Sequence, residues 1–198
     1  MIAADTTYLP LLLGHSMPAI PVDPATQQPI EDLEGRVHLL VETLQDEKET
    51  ILVPQPAFSE FLVYADAAGP KYISKIEKSP LFRWGDFDLK AAVELAAMRR
   101  KRINQMGGRE IRRQTDAETW AKISFDRQII AIAKANGAHT IYSNDNGIRR
   151  FAEQHGIKVI RMWELPRPAI EAQRSLLEDL EPTLPTNVRK IAFGEDEP

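Results

Sequence analysis

Hydrophobic residues recur along this chain in two patterns that alternate with each other. Short runs rich in β-branched and aromatic residues predict strands at residues 2–4, 51–53, 81–84, 139–143 and 157–162. Longer stretches with apolar residues at helical spacing predict helices at residues 8–13, 32–47, 56–69, 70–78, 89–106, 117–135 and 146–155. Strands that alternate with helices over most of the chain predict an α/β fold with a central, mainly parallel sheet flanked by helices.

The 198 residues are enough for one sizeable core, which we expect to span residues 1–165. A Pro-rich insertion at residues 14–31 contains Pro18, Pro21, Pro24 and Pro29, so helix is not expected there. Beyond Pro166, residues 166–198 are expected to form a separate segment, with a helix at 169–180 and an acidic tail.

Composition excludes several classes of site. The chain has no cysteine, so disulfides and thiolate zinc sites are impossible, and its four histidines show no metal-ligand spacing. No run approaches the roughly 18 apolar residues that a membrane-spanning helix needs. We therefore expect a soluble, cytoplasmic protein with no membrane partner. The formal net charge is -4, but the charge is unevenly distributed along the chain.

One carboxylate falls on the apolar face of a predicted helix. At about 100° per residue, Asp126 lies on the same face as Ile123, Ile129, Ile130 and Ala133. A carboxylate directed towards a core is costly unless a cation or several hydrogen-bond donors compensate it. Asp126 is therefore either a structural residue satisfied by backbone amides or by an Arg, or a ligand of a bound cation.

Three further acids have positions that suit the same site. Asp5 and Asp145 each follow a predicted strand, at the sheet edge where open α/β proteins bind ligands. Glu60 lies near the start of the helix that follows the second strand. Each also has a structural interpretation, as a helix cap, a turn residue or a partner of the helix dipole. If the four acids converge, their repulsion requires divalent cations, and oxygen ligands suit Mg²⁺ or Mn²⁺.

The order and context of these acids resemble those of PIN-domain ribonucleases, including VapC-type toxins of toxin–antitoxin pairs. The resembling segments are a strand ending in Asp and two hydroxyl residues (IAADTT, 2–7), and a Glu in a helix after a strand and a Pro (53–60). Downstream are an Asp that opens an Ile/Ala-rich half-helix (DRQIIAIA, 126–133) and a Ser-Asn-Asp after a strand (143–145).

That resemblance implies a three-layer PIN-like fold and a metal-dependent endoribonuclease that cleaves RNA. It implies that Asp5, Glu60, Asp126 and Asp145 coordinate one or two Mg²⁺ or Mn²⁺ ions and that Ser143 assists them through its hydroxyl. It further implies an antitoxin-like protein partner and a homodimer, with the helices near residues 62 and 93 as docking surfaces. The Pro-rich insertion and the C-terminal segment have no counterpart in compact VapC-like members.

A basic segment lies between the second and third acids, Glu60 and Asp126. Its seven cations are Arg99, Arg100, Lys101, Arg102, Arg109, Arg112 and Arg113. Such a segment is suited to binding the phosphates of a nucleic acid. The alternative is a solvated helix end, where cations favour the C-terminal dipole.

Two rival functions are consistent with the same residues. The first is a non-catalytic PIN-fold module that binds nucleic acid or protein, with structural acids only. The second is an α/β phosphatase that uses Asp5 as its nucleophile. That chemistry usually needs a second acid two residues later, where this chain has Thr7, and the chain also lacks a phosphate-binding loop of the GxxxxGK type.

Overall fold

The computed structural model describes residues 1–17, 19–105 and 117–169, and its centre is a five-stranded sheet. The strands are β1 (Ile2–Ala4), β2 (Ile51–Pro54), β3 (Phe82–Gly85), β4 (Thr140–Tyr142) and β5 (Lys158–Ile160). All neighbouring strands are parallel, in the order β3-β2-β1-β4-β5. Every residue of β1, β2 and β4 is buried, as expected for a parallel sheet covered by helices on both faces.

Seven α-helices flank this sheet within the described residues. They are α1 (Leu9–Leu13), α2 (Leu33–Asp46), α3 (Gln55–Ala65), α4 (Gly69–Lys78), α5 (Leu89–Gln105), α6 (Ala117–Ala135) and α7 (Asn146–Gln154). Short 3-10 turns lie at Asp66–Ala68 and Met162–Glu164. The predicted three-layer α/β fold with a parallel sheet is therefore confirmed.

Helix α6 is placed by its apolar face. Ile129, Ile130 and Ala133 are fully buried, and the helix packs mainly against α5, with further contacts to α7, α3 and β2. This arrangement leaves Asp126, on the same face, close to the ends of the central strands. The amphipathic pattern of the helix thus determines where that carboxylate lies.

The order of the strands creates a crevice at the centre of the sheet. The chain runs outwards from β1 through β2 to β3, and then returns to the other side of β1 with β4 and β5. Ala3 is consequently paired with Leu52 of β2 on one side and with Ile141 of β4 on the other. The switch point of such a sheet lies between β1 and β4, at the carboxyl ends of the strands.

The C-terminal unit and the Pro-rich insertion lie outside the central sheet. Residues Met1–Pro166 form one compact unit, and Arg167–Pro198 form a second unit. Residues 170–198 lie outside the described residues, so the structure does not test the predicted helix at 169–180. The Pro-rich insertion contains one antiparallel bridge between Val22 and Pro29 and no described helix. Within the ranges that the structure describes, no helix is long and apolar enough to cross a membrane.

Candidate active site

Two acids follow the strands that flank the switch point. Asp5 comes directly after β1, and Asp145 comes three residues after the end of β4. The backbone N–H of Asp5 donates to the carbonyl of Tyr142 at 3.0 Å, so the exit of β1 is held against the exit of β4. The parallel register therefore brings residues 140 positions apart in the chain to one edge of the sheet.

Asp5 is a buried carboxylate supported by hydroxyl groups. Only 3% of the residue is exposed, and burial raises the pKa of its carboxyl. Hydrogen bonds oppose this increase: Ser143 Oγ donates to Asp5 Oδ2 at 2.9 Å and Thr7 Oγ1 donates to the same oxygen at 3.3 Å. The neighbouring hydroxyl residues thus keep a costly buried acid in a fixed orientation.

Ser143 joins the two acids of the switch point. The residue is completely buried, and its hydroxyl accepts a hydrogen bond from the backbone N–H of Asp145 at 3.0 Å while it donates to Asp5. Both of these hydrogen bonds involve the Ser143 hydroxyl, so its effect on the site is to fix the relative positions of the two acids.

Asp145 combines a structural contact with one that faces the crevice. Its Oδ1 accepts from the backbone N–H groups of Gly147 and Ile148 and caps α7, so the helix-cap interpretation is correct for this oxygen. Its Oδ2 lies 2.8 Å from Lys122 Nζ. Burial alone would raise the pKa of Asp145, but the Lys122 ammonium and the two amides together hold it below its usual value.

The surroundings of Asp126 disfavour the ionised form of its carboxyl. Its carboxyl is partly buried, and burial followed by the charge of Asp145 raises its pKa from the usual 3.8 to about 7. Asp5 and Glu60 add to this increase, and Lys122 opposes it. The interactions show that four negative groups lie close enough together to affect one another.

Gly147 gives a direct measure of how close two of these groups are. A Cβ atom on Gly147 would lie 2.9 Å from Asp145 Oδ1 and 3.3 Å from Asp126 Oδ2. The two carboxylate oxygens are therefore no more than about 6 Å apart. The absence of a side chain at this position keeps the space between them open.

Glu60 lies on α3, which follows β2, whereas Asp145 follows β4 on the opposite side of β1. Thr6 Oγ1 donates to Glu60 Oε2 at 2.7 Å and so orients it. Asp5, Glu60, Asp126 and Asp145 all line one cavity of about 410 Å³, which we call the acidic pocket. Thr6, Thr7, Lys122 and the exposed side chains of Val63 and Tyr64 complete its walls, with Ile148.

The chemistry of the pocket fits a hard divalent cation. Its donors are carboxylate oxygens from four different elements, a set that suits Mg²⁺ or Mn²⁺, and the Lys122 ammonium already stands as a cation beside Asp145. Across the described ranges, however, no three Asp, Glu or His side chains are disposed to hold one ion together. The metal therefore stays a prediction, which requires the side chains to adjust or water to complete the coordination.

Lys122 was not anticipated from the sequence. The signal was present, because Lys122 and Asp126 are four residues apart on one helix and therefore share a face. It was missed because such pairs are common on exposed helix surfaces, and the spacing does not reveal that a third group, Asp145, lies opposite.

The basic segment lies outside the acidic pocket where the structure describes it. Arg99 Nη2 donates to Ser124 Oγ at 3.2 Å, so this arginine packs against α6. Arg100 and Lys101 are exposed, and Lys101 lines a different cavity, of about 310 Å³, with Lys134 and His155. The side chain of Arg102, and Arg109, Arg112 and Arg113 entirely, lie outside the described residues. Nucleic-acid binding by this segment remains a prediction.

Comparisons with known proteins extend only to the fold. No protein-family model matches the sequence, and no curated protein matches it. Among solved structures, the chain is similar to a DNA-bound VapBC from Salmonella typhimurium, with 13% identity and a TM-score of 0.47, covering 82% of this chain and 99% of that one. It is also similar to VapBC2 from Rickettsia felis bound to a promoter DNA fragment, with 15% identity, a TM-score of 0.48 and coverage of 81% and 98%.

Both matched chains come from VapBC crystal structures, and this chain covers nearly the whole length of each. At such low identities and scores, neither match assigns a role to any residue, so the chemistry must be inferred from the acidic pocket itself.

Proposed function

We propose that this chain is a divalent-metal-dependent endoribonuclease that cuts RNA at the acidic pocket. The observation that carries the proposal is that Asp5, Glu60, Asp126 and Asp145, which come from four different elements, line a single cavity at the switch point of the sheet. A site of this kind, with perturbed carboxyl groups in a crevice, is typical of a functional centre rather than of a stabilising one.

In this proposal the four acids hold one or two Mg²⁺ or Mn²⁺ ions. When bound, such an ion supplies an activated water and neutralises the charge that develops on a phosphodiester. Thr6 orients Glu60, while Ser143 and Thr7 orient Asp5 through the hydrogen bonds described above. These hydroxyl groups are positioning residues, because each of them donates a hydrogen bond to one of the acids.

The choice of RNA as substrate follows from the sequence resemblance. The pocket is open, and the ring of Tyr64 at its wall is 74% exposed, so a base of a single strand has an aromatic surface on which to stack. An antitoxin-like partner and a homodimer are also part of the proposal on the same resemblance, which would make the chain the toxin of a toxin–antitoxin pair.

The test compares Asp5→Asn with the wild-type protein on a fluorescently labelled single-stranded RNA. Wild type is expected to cut the RNA in Mn²⁺ or Mg²⁺ and not in EDTA, while Asp5→Asn is expected to lose cutting under all conditions. Asp88→Asn is the matched control, because Asp88 is an exposed acid that accepts from the backbone N–H of Ala91 outside the pocket. Metal-dependent cutting that survives in Asp5→Asn would rule out the proposed site.

A non-catalytic module is the second candidate, and one observation favours it. The ammonium of Lys122 already neutralises part of the pocket, and no three acids in the described residues are poised around one ion. A scaffold of this kind would show neither a metal-induced increase in Tm nor RNA cleavage. A titration with Mn²⁺ followed by thermal unfolding separates the two functions before any substrate is known.

A further inference from the structure

Lys122 supplies the positive charge of the acidic pocket. It lies one helical turn before Asp126 on α6, and its Nζ is 2.8 Å from Asp145 Oδ2. Its ammonium also interacts electrostatically with Asp126 and Glu60. One side chain thus interacts with three of the four proposed metal ligands.

The oxygen that Lys122 contacts is the one that a metal ion would need. Asp145 Oδ1 is already used by the backbone N–H groups of Gly147 and Ile148, so Oδ2 is the atom through which Asp145 can bind another cation. The Lys122 side chain is 65% exposed, and it can therefore swing away from Oδ2 into solvent. The geometry permits an exchange of one cation for another at the same atom.

We propose that Lys122 is a built-in counter-cation of the acidic pocket, which competes with the divalent ion for Asp145 Oδ2 and is displaced when the ion binds. The proposal rests on the proposed function, because it assumes that the pocket takes up a metal. It makes Lys122 a positioning residue that holds Asp145 in place while the pocket is empty, at the expense of metal affinity.

The same helix carries an ordinary ion pair for comparison. Lys134 Nζ lies 3.0 Å from Glu94 Oε2, and Lys134 is not among the residues that line the acidic pocket. If Lys122 were only a surface ion pair, its removal would have the same small consequences as the removal of Lys134. If it competes with the metal, its removal has an additional effect that Lys134 cannot produce.

The experiment measures Mn²⁺ affinity by isothermal titration calorimetry for wild type, Lys122→Met, Lys122→Arg and Lys134→Met. Loss of one positive charge near a divalent ion, at a partly exposed position, is expected to tighten the Kd of Lys122→Met by about threefold to tenfold. Lys122→Arg keeps the charge and Lys134→Met changes a remote pair, so both are expected to bind Mn²⁺ as wild type does.

The rise in Tm on addition of Mn²⁺ provides a second readout, which a purely structural role of Lys122 would not change. Lys122→Met is expected to have a lower Tm than wild type in EDTA, because the repulsion among the carboxylates is less compensated. Its Tm is expected to rise further than that of wild type when Mn²⁺ is added, since tighter binding stabilises more. A structural lysine would lower the Tm equally with and without the metal.

The outcomes distinguish this inference from the proposed function. Wild type that binds Mn²⁺, with Lys122→Met binding it equally or more weakly, overturns the role of Lys122 and leaves the metal site intact. Failure of all four proteins to bind Mn²⁺ overturns both. Tighter binding in Lys122→Met alone supports both.

Discussion

Replacing Asp126 with Asn is expected to stabilise the metal-free protein at pH 8 and, at the same time, to remove its response to Mn²⁺. The asparagine is nearly the same shape as the protonated acid but never carries a charge. In the wild type, burial and the charges of Asp145, Asp5 and Glu60 oppose ionisation of Asp126. A substitution that raises the stability of the protein while it abolishes the response to Mn²⁺ would show that Asp126 serves metal binding and not stability.

The raised pKa of Asp126 determines how the stability of the protein changes with pH. Between 3.8, the usual pKa of an Asp, and about 7, folded Asp126 holds a proton that the unfolded chain has released. The stability associated with this group is therefore fully present below pH 3.8, falls as the pH rises through this window and is lost above about 7. Asp126→Asn is not subject to that loss, so its advantage grows from pH 5 to pH 8.

The same pKa values set an upper bound on the stability that Asp126→Asn gains. A shift of roughly three pH units corresponds to about 4 kcal/mol at most, at about 1.4 kcal/mol per unit. Asp126 is only partly buried, and screening by solvent reduces this to about 1–2 kcal/mol. For a protein of this size, that gain raises Tm by about 3–6 °C at pH 8.

The assay is thermal unfolding followed by circular dichroism, in EDTA and in Mn²⁺, at pH 5 and pH 8. Wild type is expected to gain Tm with Mn²⁺ at pH 8, whereas Asp126→Asn is expected to start higher and gain nothing. Asp88→Asn, the exposed control, is expected to show no advantage that grows with pH. A lower Tm for metal-free Asp126→Asn at pH 8 would refute the reasoning, because it would mean that attractive partners outweigh the repulsion around this carboxylate.

Two further predictions concern other parts of the site. Gly147→Ala adds a methyl group 2.9 Å from Asp145 Oδ1 and 3.3 Å from Asp126 Oδ2, so Mn²⁺ affinity measured by calorimetry is expected to fall by about tenfold or more while far-ultraviolet circular dichroism stays unchanged. Unaltered affinity would show that the space between these two acids is not used. Replacing exposed Arg100 and Lys101 together with Glu is expected to weaken RNA binding and to reduce its salt dependence in a filter-binding assay, without any change in Mn²⁺ affinity. An unchanged salt dependence would assign these cations to the solvated helix end instead.

The backbone arrangement of the site was predictable from the sequence, because it follows from a small number of local rules. Alternating strands and helices required a parallel sheet, and the carboxyl ends of parallel strands share one edge, so Asp5 and Asp145 were expected to meet. The helical periodicity of α6 placed Asp126 on the buried face, where the structure has it beside Ile129 and Ile130. Predicted boundaries differ from the observed ones by at most a few residues, because helix and strand ends depend on caps and turns that patterns do not resolve.

The side-chain contacts were less predictable, because they depend on which elements lie opposite one another. The sequence interpretation gave Asp145 as either a helix cap or a ligand, whereas the structure assigns capping to one oxygen and contact with Lys122 to the other. Arg99 was grouped with cations expected to bind phosphate, but its contact with Ser124 uses part of its guanidinium in packing between helices. The spacing of residues along the chain reveals neither the separate contacts of the two Asp145 oxygens nor the packing role of Arg99.

The four acids are compensated unequally, and this difference explains why the pocket would favour a cation. Hydroxyl donors support Asp5 and Glu60, and two backbone amides with one ammonium support Asp145. For Asp126, the combined effect of burial and three neighbouring carboxylates exceeds that of Lys122, and its pKa rises to about 7. Burial also raises the pKa of Asp5, in spite of its hydroxyl donors. A divalent ion in the acidic pocket would therefore favour the ionised form of both acids, including Asp126, which lies mid-helix on an apolar face.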